Sequence, residues 1–176
     1  MAMTPGLRKL ALSAHITCSV GWIGAVACFL ALAIVGLAGR DAGTIQSAYV
    51  AMNLVTWFVI VPASLTALVS GIIQSLGTRW GLFQHYWVVA KLLITVLATA
   101  VLLQHTQPIG VLAFAAAKGT LGAPDLHGVR VQMVVDAVAA LLALLVTTTL
   151  GVYKPRGTTR YGWRKQQEGR AAQMLP

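Results

Sequence analysis

The chain has 176 residues, 57% of them hydrophobic and 10% charged, with a mean hydropathy of +0.77. That balance excludes an ordinary soluble domain, in which roughly a quarter of the residues are charged. The net charge of +9 invites a nucleic-acid reading, but six of the thirteen basic residues follow the last apolar run, where the positive-inside rule and attraction to anionic lipid account for them.

The first apolar run covers residues 10–37, long enough to cross a hydrocarbon core of about 30 Å with some tilt. It follows the basic pair Arg8–Lys9, and no small-residue cleavage site precedes Arg40. We therefore read it as a retained span and not a removed signal peptide. Within it, "AHITCSVGWIGAV" places a titratable ring inside the membrane. His15, Cys18, Ser19 and Trp22 share one helical face, and the "GWIG" glycines Gly21 and Gly24 allow a helix or a flat ligand to approach closely. Cys18 and Cys28 lie about 15 Å apart along the helix, too far to bond to each other.

After the turn "GRDAGT", a second span is predicted over 48–76. Pro62 interrupts it, and Thr56, Ser64 and Thr66 are nearby donors for the freed backbone. Thr66, Ser70 and Gln74 form one face at i, i+4, i+8 and are expected to bond between helices. The break "GTRWG" leads to a third span over 86–103, begun by His85 and ended by His105, with Lys91 about a turn and a half inside. Thr95 and Thr99 continue the Lys91 face. The segment from His105 to Gly128 contains Pro108, Gly119, Gly122 and Pro124 and reads as a long outer connection. Its apolar middle, "IGVLAFAAAKG", is too short to span and is expected on the membrane surface.

The fourth span is predicted over 129–153, after His127, with Asp136 six residues inside. The tail, 154–176, is polar and basic, expected to be mobile or held by anionic headgroups, with no core of its own. The fold class is thus an all-α four-helix membrane bundle, since the runs are too uniformly apolar for barrel strands. With both ends inside, nine basic residues face the cytoplasm (Arg79 among them) and three, Arg40, Lys118 and Arg130, face outward, with Asp41 and Asp125 beside two of these. That bias predicts N-in and C-in. Trp80, Tyr86, Trp87 and Tyr153 fit an inner aromatic belt, and Tyr49 an outer one.

Ionisable groups among lipid tails are functional-site candidates by default. His15 and Lys91 enter from the same side to similar depth and can share an inner layer. A neutral imidazole on a small-residue face suits a porphyrin iron ligand between facing helices. A lone membrane histidine can also simply hydrogen-bond across a helix interface. Lys91 can snorkel to headgroups, and Asp136 can be neutralised by Arg130, Lys118 or His105. His85 and His105 are about 30 Å apart along a helix, so only separate pairings are open: His15 with His85 or Lys91 inside, His105 with His127 outside.

"AHITCSVGWIGAV" together with "HYWVVAKLLITVLATAVLL" resembles a superfamily of small bacterial membrane proteins that includes the copper-resistance D proteins and the HemJ-type membrane protoporphyrinogen oxidases. Within it the chain is most similar to an uncharacterised bacterial group of four-helix integral membrane proteins. The resemblance implies a multi-pass protein of the bacterial cytoplasmic membrane. It implies haem b at His15, with Lys91 in the same functional region and Trp22 and Gly24 as packing neighbours; our leading hypothesis makes His85 or Lys91 the second ligand or a propionate partner. The activity implied is electron transfer or porphyrin-related oxidation. Met1, Met3, Met52, Met133 and Met174 are scattered, which speaks against copper handling. Two other functional classes stand beside this one. One is a cofactor-free scaffold or accessory subunit whose small-residue faces dock partners or a second copy. The other is a small transporter or channel using Asp136 and Lys91, for which four helices without a repeat leave little room.

Overall fold

The computed structural model describes residues 4–77, 81–122 and 124–174. Arg79 and Trp80, with most of the "GTRWG" break, lie outside them, as does the side chain of Asp125. Among the described residues the chain is helical, without a strand, and four helical stretches are long and apolar enough to cross a membrane. The protein is a four-helix membrane bundle.

Helix α1 spans Pro5–Ala38. Thr4 caps it, accepting the Leu7 amide, and Pro5 sits where the helix needs no N–H. Helix α2, Ala42–Val55, begins at Asp41, whose Oδ2 accepts both the amide and the hydroxyl of Thr44 at 2.7 Å. It runs through a π turn, Thr56–Ile60, into α3, Val61–Gly77. Pro62 cannot donate to the Phe58 carbonyl, so the wide turn falls just before it, with the Val61 amide reaching back to the Thr56 carbonyl. The three hydroxyls near Pro62 bond inside their own segment: Thr56 to Met52 O, Ser64 to Val61 O, Thr66 to Pro62 O.

Helix α4 covers Tyr86–Ala117 with Pro108 inside it. The predicted end at residue 103 and the surface-lying segment are corrected here. Ile109, Leu112, Ala115 and Ala116 are buried, and α4 packs along α2 over this stretch. Burial against a neighbour outweighs one missing backbone donor. The connection shrinks to the residues between Ala117 and Pro124, where α5, Pro124–Tyr153, begins. His105 therefore lies inside α4, and His127 in the first turn of α5. Around the bundle α1 packs on α2–α3 and on α5, and α4 packs on α2–α3 and on α5. Consecutive spans are neighbours, and the start of α1 and the end of α5 lie on one side.

The tail adds an element that its composition does not announce. Arg160–Met174 forms a helix, α6, and its lead-in is fastened to the α3–α4 loop. Thr158 bridges His85, the Thr159 amide donates to Gln84 O at 2.9 Å, and the Tyr86 amide donates to Gly157 O at 3.4 Å. Gly162 lies against the Gln84 backbone so closely that a Cβ there would collide with it. Backbone pairing, and not apolar burial, positions this helix.

Candidate functional site

The inner half of the bundle is polar where α1 meets α3. His15, Cys18 and Ser19 are half-buried and Trp22 is 4% exposed, so the expected face does turn inward. The His15 ring rests on α3 at Gly71, where a Cβ would come within 3.2 Å of Cε1. Its Nδ1 lies 3.0 Å from Ser70 Oγ. The Ser70 hydroxyl already donates to Thr66 O at 2.6 Å, so it accepts from the ring, which assigns the proton to Nδ1. The ring also makes a hydrogen bond with the Ala67 backbone. One turn further along α3, Gln74 donates to Ala11 O at 2.8 Å. Two of the three polar residues on the expected α3 face thus bond across helices; Thr66 does not.

Lys91 enters from α4 and its Nζ reaches Gly151 of α5, where a Cβ would lie 2.8 Å away. Its charge is felt at the His15 ring, and Lys154 adds like charge beside it. Among the described residues the one ion pair is His105–Asp136, so no described carboxylate answers Lys91. His85 stands at the N-cap of α4, six residues before Lys91, with its backbone bridged to Thr158. The structure brings His15 and Lys91 within electrostatic reach and ties His85 into the loop layer. Gly24 is not beside His15: it faces outward with Gly21, and a Cβ at either would meet nothing within 4 Å.

The outer half resolves differently from the sequence reading. His105 does not face His127, which is exposed. Instead His105 Nδ1 donates to Val101 O at 2.7 Å, and Nε2 lies 2.8 Å from Asp136 Oδ2 and 3.1 Å from Gln132 Nε2. The carboxylate contact is close but poorly aligned, and Oδ2 makes no well-directed hydrogen bond. Asp136 is thus partnered by His105, one of the three candidates. Arg130, another, is occupied elsewhere. Its Nε donates to Tyr49 OH at 2.9 Å and its terminal nitrogen to Gly36 O at 2.6 Å. Tyr49 is 1% exposed and is no belt residue; its ring fills the space that Gly36 leaves. This Arg130–Tyr49 clamp on the end of α1 was missed because its acceptors are backbone carbonyls of a distant helix, which no side-chain motif records.

Haem at His15 can be tested against this geometry. A ring whose Nδ1 is held by a fixed hydroxyl is oriented, as a metal-binding histidine is, and Lys91 is a cation without a described carboxylate in the same layer. His15 would hold the iron and Lys91 could meet an anionic substituent. Neither of the two best-formed surface depressions, of about 350 and 340 Å³, includes His15. Among the described residues no group of three or more His, Cys, Asp or Glu is gathered to hold a bare metal ion. Both cysteines are free. No protein-family model, curated protein or solved structure matches this chain.

Proposed function

We propose that this multi-pass membrane protein is a small b-type haem protein of the bacterial cytoplasmic membrane, engaged in electron transfer or porphyrin-related oxidation. The observation that carries the reading is His15, whose ring is oriented by Ser70 and lies against α3 at Gly71. The likeness of the first and third spans to the HemJ-type oxidases supports the same assignment. In this reading His15 holds the iron and Ser70 fixes the ring's tautomer and plane. Lys91 binds a propionate or supplies the second ligand, for which His85 is the other candidate. Bound haem would supply one-electron chemistry.

The test is optical. Full-length protein expressed with ample haem should show a Soret band, which His15→Ala abolishes or shifts while the helices remain assembled. Lys91→Ala and His85→Ala separate the remaining roles: loss of the second ligand alters spin state, and loss of a propionate partner weakens retention. Haem content intact in His15→Ala overturns the assignment.

A second reading, a cofactor-free scaffold or accessory subunit, is favoured by the open notch at Gly21 and Gly24, which suits close approach of another membrane helix. A colourless preparation from haem-replete cells would select it.

A further inference from the structure

Where α6 leaves the α4 loop, an open surface cleft of about 340 Å³ is lined by Tyr86, Thr158, Thr159, Arg160, Trp163 and Arg164, most of them exposed. Its composition is unusual for a chain with so few polar residues. Two arginines one helical turn apart face the same side, and no described carboxylate pairs with either, the one ion pair being far off in the outer half. The Thr159 hydroxyl is spent on structure, donating to Phe83 O and accepting the Gly162 amide at 3.1 Å. Thr158, by contrast, makes no hydrogen bond through its hydroxyl among the described residues. The cleft therefore carries two positive forks and one uncommitted hydroxyl, walled by an indole and a phenol.

Its position restricts what can fill it. Tyr86 begins the third span and Tyr153 ends the fourth, both with exposed rings, so the cleft lies in the layer where a bilayer changes from hydrocarbon to headgroup. The same end of the molecule carries Arg8, Lys9, Lys154 and Arg156, and by the positive-inside bias it faces the anionic leaflet. Guanidinium groups match phosphate oxygens in pairs. An amphipathic aromatic wall suits the glycerol region just below a phosphate.

We propose that this cleft is a seat for the phosphate of one anionic phospholipid. Arg160 and Arg164 clasp the phosphate, Thr158 donates to it, and Trp163 and Tyr86 flank the glycerol. The lipid then joins α6 to the start of α4, alongside the backbone bridge. The assignment uses neither His15 nor Lys91; its one link to the haem reading is the backbone bridge from Thr158 to His85.

The test uses delipidated full-length protein in neutral detergent, titrated with short-chain phosphatidylglycerol, short-chain phosphatidylcholine and inorganic phosphate, with stoichiometry read by native mass spectrometry. One phosphatidylglycerol should bind at least about tenfold more tightly than either comparator. The double variant Arg160→Gln/Arg164→Gln should weaken it by about thirtyfold, at the scale expected for two basic groups at a lipid surface. Helix content should be unchanged. The control Lys165→Gln/Arg170→Gln keeps the charge loss on α6 but spares the cleft, and should retain tight binding. Equal loss in both double variants would reduce the effect to diffuse attraction and overturn the seat. Inorganic phosphate or phosphatidylcholine binding as tightly as phosphatidylglycerol would overturn the anionic-lipid assignment.

Discussion

Asp136 and His105 illustrate how an ionisable pair is tolerated in a membrane bundle. The Val101 carbonyl can only accept, so His105 Nδ1 carries a proton, and Nε2 and Asp136 Oδ2 face each other at 2.8 Å. A charge at this depth is costly alone and affordable only when shared. Asp136→Asn should therefore be nearly neutral, because its amide can donate to Nε2. Asp136→Leu should lower stability by about 1–3 kcal/mol, the cost of stranding buried polar groups. Thermal unfolding in detergent measures both, and equal midpoints for all three proteins would mean that Asp136 faces water. The partner itself was only one of three candidates in the sequence. His105 was read as the end of its helix, and a residue placed in a loop gives no depth with which to match it.

Among the elements, the second span shows how a single local feature sets packing. The π turn at Thr56–Ile60 holds one residue more than an α-helical path would. That residue fixes the rotation of α3 relative to α2, so that Tyr49 and Met52 face the core while Ser70, Gly71 and Gln74 face α1. Deleting Val59 should convert the turn to α-helix and rotate α3 by about 100°. The His15–Ser70 and Gln74–Ala11 bonds would break, lowering stability by at least about 2 kcal/mol. An unchanged unfolding midpoint would refute this account of the phase. At the start of the same span, the Thr44 hydroxyl and then its amide hold the Asp41 carboxyl below the usual carboxylate range. The cap is fully engaged above that range and is lost as pH falls through the lowered value. Hydrogen exchange in the first turn of α2 should accelerate on acidification, and Asp41→Asn should flatten that dependence while preserving the cap. The four spans were legible because about twenty apolar residues are hard to mistake. The extra turns of α4 were not, because Pro108 and the glycines signal a break in water, whereas neighbouring helices tolerate them here. The tail helix was hidden for the opposite reason: it docks by backbone, leaving no apolar period to read.

At the scale of the whole molecule, four spans in chain order place the start of α1 and the end of α5 on one side, and the nine-to-three basic bias predicts that this side faces the cytoplasm. Reporter fusions after Gly77 and after Pro176 should both report cytoplasm, and one after Ala42 the exterior. An external C-terminus would move His15, Lys91 and the α6 cleft to the other leaflet together. The polar groups were visible in the sequence as exceptions to an apolar chain. The shared inner layer of His15 and Lys91 follows from the alternating direction of the spans, whereas the outer partner of Asp136 stays one of three until α4 continues past His105. The Arg130–Tyr49 clamp did not follow, since its geometry depends on α1, α2 and α5 meeting at one point.

That meeting point bears on how the protein is made. A chain synthesised from its N-terminus inserts α1 first, with the Gly36 and Leu37 carbonyls at its outer end lacking the donor that α5 later brings. Tyr49 arrives with the second span and fills the notch at Gly36, but its hydroxyl also waits for Arg130. If the spans enter in chain order, the last would secure the first as a latch does. A chain truncated before Val129 should hold three inserted helices yet be cleaved readily by membrane proteases, and the full chain with Arg130 intact should resist them.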